Sequence, residues 1–297
     1  MEKIIDLHIH STMSDGTLTP YEIVDEAANN GVNTIAIADH DTVDAYTDEL
    51  FEYAKEKEIN IIKAVEISTK MNKVGIHVLG YNFDINNGDL KSKLFSLRNA
   101  RHDYLYNVNN KLSELGYVLN VNELDKIDAV TKAHIALDIV DNPINKDLLL
   151  KIFGYVPAKG EFIETIMNEG CPAYVEKASI TPLEAAELVR NAGGKVVLAH
   201  PVAYSYEDNL SDEDIISLIK EIKPDGIETN YIYIDRHNNK INDSDKWNKV
   251  AKDLDLIATI GSDFHNKDDI HPRIGLINEE INISEEKIDE ILNNLCN

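Results

Sequence analysis

Seven strand-like runs punctuate the chain, at Lys3 to His10, Asn33 to Asp39, Asn60 to Ile67, Val74 to Tyr81, Lys195 to Ala199, Asp225 to Asn230 and Leu256 to Ile260. Most are separated by helix-length segments, and that alternation restricts the chain to βα units around a parallel sheet. Two helix starts are written out in full. Thr19-Pro20-Tyr21-Glu22 and Thr181-Pro182-Leu183-Glu184 each set Thr at the N-cap, Pro at the first helical position and Glu three residues after the cap. Gly31 and Gly193 mark the stops. After Thr19, the residues Ile23, Val24, Ala27 and Ala28 fall on one helical stripe, which suits a helix covering the outside of a sheet.

Between Tyr81 and Tyr174 the alternation lapses into helical patterns such as Leu90 to Leu115 and Asp147 to Ile152, punctuated by Pro143, Pro157 and Pro172. This predicts a helical insertion, residues 91–177, in an α/β domain of residues 1–90 and 178–297. Seven parallel strands with outer helices describe a relative of the TIM barrel with one βα unit missing, where chemistry sits at the C-terminal strand ends. Asn238 to Asn248 is polar enough to be a mobile loop.

Composition narrows the function. With 53 acidic and 29 basic residues among 297, the formal charge is −24, so no basic face is expected for long duplex nucleic acid, and a phosphate substrate would need help from a metal. No apolar run approaches the roughly 18 residues of a membrane helix, and Met1 to Gly16 carries acids and histidines where a signal peptide needs an apolar core. A cytoplasmic protein without membrane or protein partner is the expectation. Cys171 and Cys296 form no CxxC pattern, so any metal would be held by histidines and carboxylates.

In the first run Asp6, His8 and His10 alternate with Ile5, Leu7 and Ile9. A lone His-x-His is a weak signal, and taken alone it is more often a pair of hydrogen-bonded structural histidines. The other strand ends change its weight: Asp39-His40-Asp41, Val65-Glu66, His77, Ala199-His200-Pro201 and Gly261-Ser262-Asp263-Phe264-His265, with Asp15 following the first strand. So many imidazoles and carboxylates at one end of a barrel would repel or go unpaired without cations. His8, His10, Asp15, His40, Glu66, His77, His200, Asp263 and His265 make nine protein ligands. One ion takes three or four, so nine suit two or three divalent ions, with manganese, iron or zinc all compatible with nitrogen and oxygen donors.

These residues, in this order, resemble the motifs of the PHP (polymerase and histidinol phosphatase) superfamily, and the likeness runs through nearly the whole chain. The resemblance implies a distorted seven-stranded barrel holding a metal cluster, usually trinuclear, for phosphoester hydrolysis. Within the superfamily the chain looks most like stand-alone phosphoesterases that act on nucleoside 3′,5′-bisphosphates, yielding the 5′-monophosphate, or that trim short oligonucleotides from the 5′ end. Thr131 to Ala136 and Gly170 to Val175 resemble segments of their insertion. Many relatives carry Arg at the place of Lys132 and Pro at that of Glu176; Lys supplies charge without the bidentate fork of Arg, so phosphate recognition would be looser or different.

By this analogy His8, His10, Glu66 and Asp263 hold one ion, Glu66, His77 and His200 a second, and Asp15, His40 and His265 a third. The ions would neutralise phosphate oxygens and activate a bridging water. Asp263, His200 and His265 are the catalytic candidates, Asp263 first as the donor of a proton to the leaving oxygen, or else as a ligand only. The insertion would cover the cluster, with Lys132, His134 and Lys177 reaching the non-reacting phosphate or base and Tyr174 stacking on a nucleobase; each also has an ordinary surface or core reading. Asp6, Asp39 and Asp41 would orient ligand imidazoles or make loop hydrogen bonds. His102, His237 and His271 read as structural or surface groups. Two other functions remain open at this point, a histidinol-phosphate phosphatase and a non-catalytic metal-binding module.

Overall fold

A computed structural model describes residues 3–72, 74–127, 130–176, 179–235, 237–267, 272–275, 277, 281 and 283–296. The chain begins β1 (Ile5–Ile9), α1 (Pro20–Asn29), β2 (Thr34–Ile37), α2 (Asp48–Glu56), β3 (Asn60–Ile61), β4 (Ala64–Met71) and β5 (Val74–Tyr81). Helices follow: α3 (Gly88–Glu114), α4 (Val121–Leu124), α5 (Lys132–Asp141), α6 (Lys146–Phe153) and α7 (Lys159–Phe162). The alternation then resumes with α8 (Pro182–Asn191), β6 (Lys195–Leu198), α9 (Pro201–Glu207), α10 (Asp212–Ile222), β7 (Gly226–Asn230), β8 (Tyr233–Ile234), β9 (Lys240–Ile241), α11 (Ser244–Asp253) and β10 (Ile257–Ile260). A last helix spans Glu285–Cys296.

The helix starts form as written. Thr19 and Thr181 each accept a hydrogen bond from the backbone N–H of the Glu three residues on, and the carboxylate of that Glu accepts one from the backbone N–H of the cap residue. Both caps satisfy N–H groups that have no partner within the helix.

Among the described residues the strands form a parallel three-stranded sheet, β1-β2-β3, a five-stranded sheet, β10-β7-β6-β5-β4, and the small pair β8-β9. Single bridges, Ile9 with Phe264 and His40 with Glu66, link the chain around the two larger sheets. Three sequence expectations change. Asn60 to Ile67 is two strands. The sheet is mixed, because β5 runs antiparallel to both β4 and β6. Only two residues separate Met71 from Val74, and Asn72 sits at φ 56°, so a hairpin forms where a parallel pair would need a crossover of about a dozen residues. Finally, Asn238 to Asn248 contains β9 and the start of α11 in place of a featureless loop.

The chain divides into two compact units, Met1–Leu94 with Ile180–Asn297, and Phe95–Ser179. The first is built on Ile5, Leu7, Ala36, Leu79, Val197 and Ile260, from five strands of both larger sheets. The second holds only helices among its described residues, packed around Leu105, Leu112, Ile135 and Phe162. No described helix is long and apolar enough to cross a membrane.

Candidate metal centre

All nine ligand-type residues lie in the first unit. His8 and His10 are at the end of β1, Asp15 in the following loop, and His40 just beyond β2. His200 follows β6, and Asp263 and His265 follow β10. Glu66 and His77 depart from the strand-end expectation: Glu66 is the third residue of β4 and His77 sits mid-strand in β5. Because β4 and β5 form a hairpin, Ser68 pairs with His77, which puts the imidazole beside the Glu66 carboxylate.

The three flanking acids shape backbone. Asp39 accepts from the Ser11 N–H at 2.7 Å and from the Ser11 and Ser14 hydroxyls, each at 2.6 Å, which holds the loop after β1. Asp6 accepts from the N–H groups of Ser262 and Gly275, both at 2.9 Å, and Asp41 from that of Ser68 at 2.8 Å. Gly16 closes the first loop where a Cβ would fall 2.2 Å from the His10 carbonyl oxygen. His200 and Asp263 take left-handed backbone, at φ 20° and 53°. Strain of this kind in non-glycine residues persists only where surrounding contacts over-determine it.

Three sets of ligand atoms, each mutually within 4.8 Å, emerge: His8, His10, Glu66 and Asp263; His40, Glu66 and His77; His10, Asp15, His40 and His265. Glu66 is the hub. Its Oε2 lies 3.3 Å from His8 Nε2, 3.2 Å from His10 Nε2 and 3.1 Å from His40 Nδ1, while Oε1 lies 3.0 Å from His77 Nδ1 and 3.1 Å from His200 Nε2. Asp263 Oδ1 faces His10 Nε2 at 3.1 Å and His8 Nε2 at 3.4 Å. Asp15 faces His10, His40 and His265 at 3.4 to 3.7 Å. His200 touches the second set, 3.3 Å from His77 Nδ1. His40 and His10 extend the second and third sets beyond the grouping that the family resemblance implies.

The electrostatics are those of a carboxylate cluster starved of positive charge. Burial alone would lower His8 and His10, yet neighbouring carboxylates outweigh it and hold His8 well above its ordinary range and His10 up at about 10. Burial opposes ionisation of Asp15, but His40, His10 and His265 pull it down to about 2. Burial likewise opposes Glu66 and Asp263, and the surrounding imidazoles hold both well below the carboxylate range. His40 and His265 go the other way, lowered by burial. Asp263 Oδ1 and His200 Nδ1 are buried with no hydrogen bond. His8 and His10 point their Nε2 atoms at each other across 3.2 Å. Nitrogen and oxygen donors converging this closely fit divalent cations.

The proposed substrate contacts belong to the second unit. Lys132 Nζ donates to Asn168 Oδ1 at 3.0 Å. His134 closes the capping box of α5 with Thr131 and also lines a cavity of about 430 Å³ with Asn120, Leu137 and Asp138. Tyr174 is half-buried. Lys177 and His271 lie outside the described residues.

Sequence reading missed two neighbours of the cluster. Glu228 of β7 is buried against His8 Nδ1 at 3.0 and 3.1 Å. Tyr231 places its hydroxyl 3.5 Å from Asp263 Oδ2 and its ring 5.5 Å from that of His200. An acid inside an otherwise apolar or neutral strand, as in Gly226-Ile227-Glu228-Thr229-Asn230, was the available signal.

Comparison with known proteins bears on this cluster. The model of the PHP domain matches residues 6–165. The chain belongs to the PHP domain family. It is 34% identical over 271 residues to a 5′-3′ exoribonuclease of Haemophilus influenzae, covering 89% of this chain and 91% of that one. It is 27% identical to a 3′,5′-nucleoside bisphosphate phosphatase of Chromobacterium violaceum, covering 88% and 87% of the two chains. A solved structure from Bifidobacterium adolescentis, described as a metal-dependent phosphoesterase, shares the fold with a TM-score of 0.71 at 24% identity, covering 99% of this chain and 96% of that one. As a PHP protein this chain is a hydrolase of phosphoester bonds.

Proposed function

We propose that this PHP protein hydrolyses phosphate esters of small nucleotides, taking nucleoside 3′,5′-bisphosphates to nucleoside 5′-monophosphates and trimming short oligonucleotides from the 5′ end. It would work in the cytoplasm on small substrates and not on long duplexes. The observation that carries the reading is the sharing of Glu66 between two ligand sets and of His10 between two, so that nine side chains make one continuous centre for two or three ions. The named activities of the Haemophilus and Chromobacterium relatives support the substrate class.

When bound, manganese, iron or zinc ions supply Lewis-acid activation of the phosphate and of the attacking water. His8, His10, Glu66 and Asp263 would hold one ion, Glu66, His77, His40 and His200 a second, and Asp15, His10, His40 and His265 a third. The imidazoles of His8 and His265 hold the Asp263 carboxyl below its ordinary range, which suits a ligand that holds charge, with delivery of a proton to the leaving oxygen as its other proposed part. His265 donates its Nδ1–H to the Asp263 backbone oxygen at 2.8 Å, which leaves Nε2 as its ligand atom. His200 turns Nε2 to Glu66 Oε1 at 3.1 Å. Lys132, His134, Tyr174 and Lys177 are proposed as substrate contacts on the strength of the family resemblance. The helical unit's Thr131 to Ala136 segment favours nucleotides over histidinol phosphate, and the full ligand complement favours an enzyme over a non-catalytic module.

The test is product release with manganese present: phosphate from nucleoside 3′,5′-bisphosphates, histidinol phosphate and an aryl phosphate, and mononucleotides from 5′-phosphorylated short oligonucleotides. Bisphosphate or oligonucleotide should be fastest. Histidinol phosphate leading by a wide margin would overturn the substrate class, and no release from any of the four would overturn the enzyme reading.

A further inference from the structure

Glu228 is a buried acid that none of the ligand sets uses. Its Oε1 and Oε2 lie 3.0 and 3.1 Å from His8 Nδ1, and Oε2 also accepts the backbone N–H of His200 at 2.9 Å. The opposite edge of the His8 ring faces the centre, with Nε2 3.3 Å from Glu66 Oε2 and 3.4 Å from Asp263 Oδ1. Space for the glutamate is made by Gly261, where a Cβ would fall 2.4 Å from both Glu228 Oε1 and His8 Cβ.

We propose that Glu228 is the positioning residue of the metal centre: it holds the hydrogen of His8 on Nδ1, so that Nε2 offers its lone pair to the ion. This rests on the metal-centre reading above. A carboxylate presents only acceptors, and the His200 N–H can only donate, so the face that Glu228 turns to His8 demands a donor there. With the hydrogen fixed on Nδ1, the neutral ring has a single nitrogen left for coordination, and that nitrogen is the one aimed at Glu66, Asp263 and His10. The same carboxylate ties down the strained backbone of His200, so one buried residue presets two ligands contributed by different strands. No proton is transferred; the role is orientation, of the kind that carboxylates play behind metal-bound imidazoles.

The test uses the whole protein and the isosteric variant Glu228→Gln. In the variant the His200 N–H claims the one remaining acceptor and the amide NH₂ faces His8 Nδ1, which moves the ring hydrogen to Nε2. Manganese titration of stripped wild type and variant should show the tightest site weakened about 10- to 100-fold, while metal-free thermal unfolding stays cooperative. A merely structural role would lower the metal-free melting temperature and leave the affinity of the folded protein unchanged, and that result overturns the proposal. Long-range ¹⁵N–¹H NMR of histidine-labelled, zinc-loaded wild type reads the tautomer without any variant: His8 should be protonated at Nδ1, and protonation at Nε2 overturns the proposal. Wild type that binds no divalent ion overturns the metal-centre reading and this one with it. Wild type that binds while the variant binds equally well overturns only the role of Glu228.

Discussion

His40 and Glu66 meet twice. Their backbones form an isolated parallel bridge between the two larger sheets, and their side chains approach to 3.1 Å between Nδ1 and Oε2. The contact that links the sheets is therefore also a contact within the cluster of ligand-type residues.

Glu66 is the residue whose loss should spread furthest. Its two oxygens face five histidines in two ligand sets, so Glu66→Ala is expected to lower bound metal by more than one ion per chain and to cut phosphate release by more than about 100-fold, beyond what loss of an outer-shell partner costs. Elemental analysis beside the phosphate assay checks this; full metal content in the variant would contradict it.

Stability of the metal-free protein should depend on pH in a defined direction. His10 is raised from 6.5 to about 10, so its contribution is fully present below pH 6.5 and is lost as pH rises through about 10. His8 and His200 are raised and share the sign, whereas His40 and His265, held low, titrate below this window. The melting temperature of chelator-stripped protein is expected to fall from pH 6.5 to 10. Added manganese should stabilise more as pH rises, because bound ions need deprotonated ligands. A stripped protein that gains stability across this window would refute the charge assignment.

Gly261→Ala should damage both folding and metal binding. The added methyl would meet Glu228 Oε1 and His8 Cβ at 2.4 Å, and neither is free to withdraw. Overpacking of this kind costs about 1–3 kcal/mol. Denaturant unfolding measures the loss, and a variant within experimental error of wild type in both stability and manganese affinity would mean the neighbourhood is softer than described.

Lys132, proposed as a substrate contact, should separate substrates rather than chemistry. If it meets a second phosphate, Lys132→Ala should raise KM for a nucleoside 3′,5′-bisphosphate about tenfold, the scale of one charge-assisted hydrogen bond, and leave kcat and aryl phosphate hydrolysis near wild type. Equal effects on the mono- and bisphosphate substrates would remove Lys132 from the binding site.

Much of the site was legible because its chemistry is local. His8 and His10 alternate on one strand, His200 and Asp263 follow strands whose periodicity is plain, and Thr19 and Thr181 announce their helices by three-residue spacing. Glu66 and His77 were found as residue types but misplaced on their strands, because a strand's periodicity does not say which way its neighbour runs. Only the short turn at Asn72 makes β5 antiparallel, and that reversal puts a mid-strand imidazole where a strand end was expected.

What the sequence by itself determined is most of the longer strand runs, the capped helices and the inventory of donors: six imidazoles and three carboxylates without a thiolate pair. The tertiary structure alone decided how those donors divide. His10 and His40 each serve two sets, and Asp6, Asp39 and Asp41 turn to backbone N–H groups. Glu228 stands behind His8 from 220 residues away. Side-chain periodicity is set by local backbone geometry and can be read along the chain, whereas a contact between distant strands depends on sheet order and register, which only the assembled core selects.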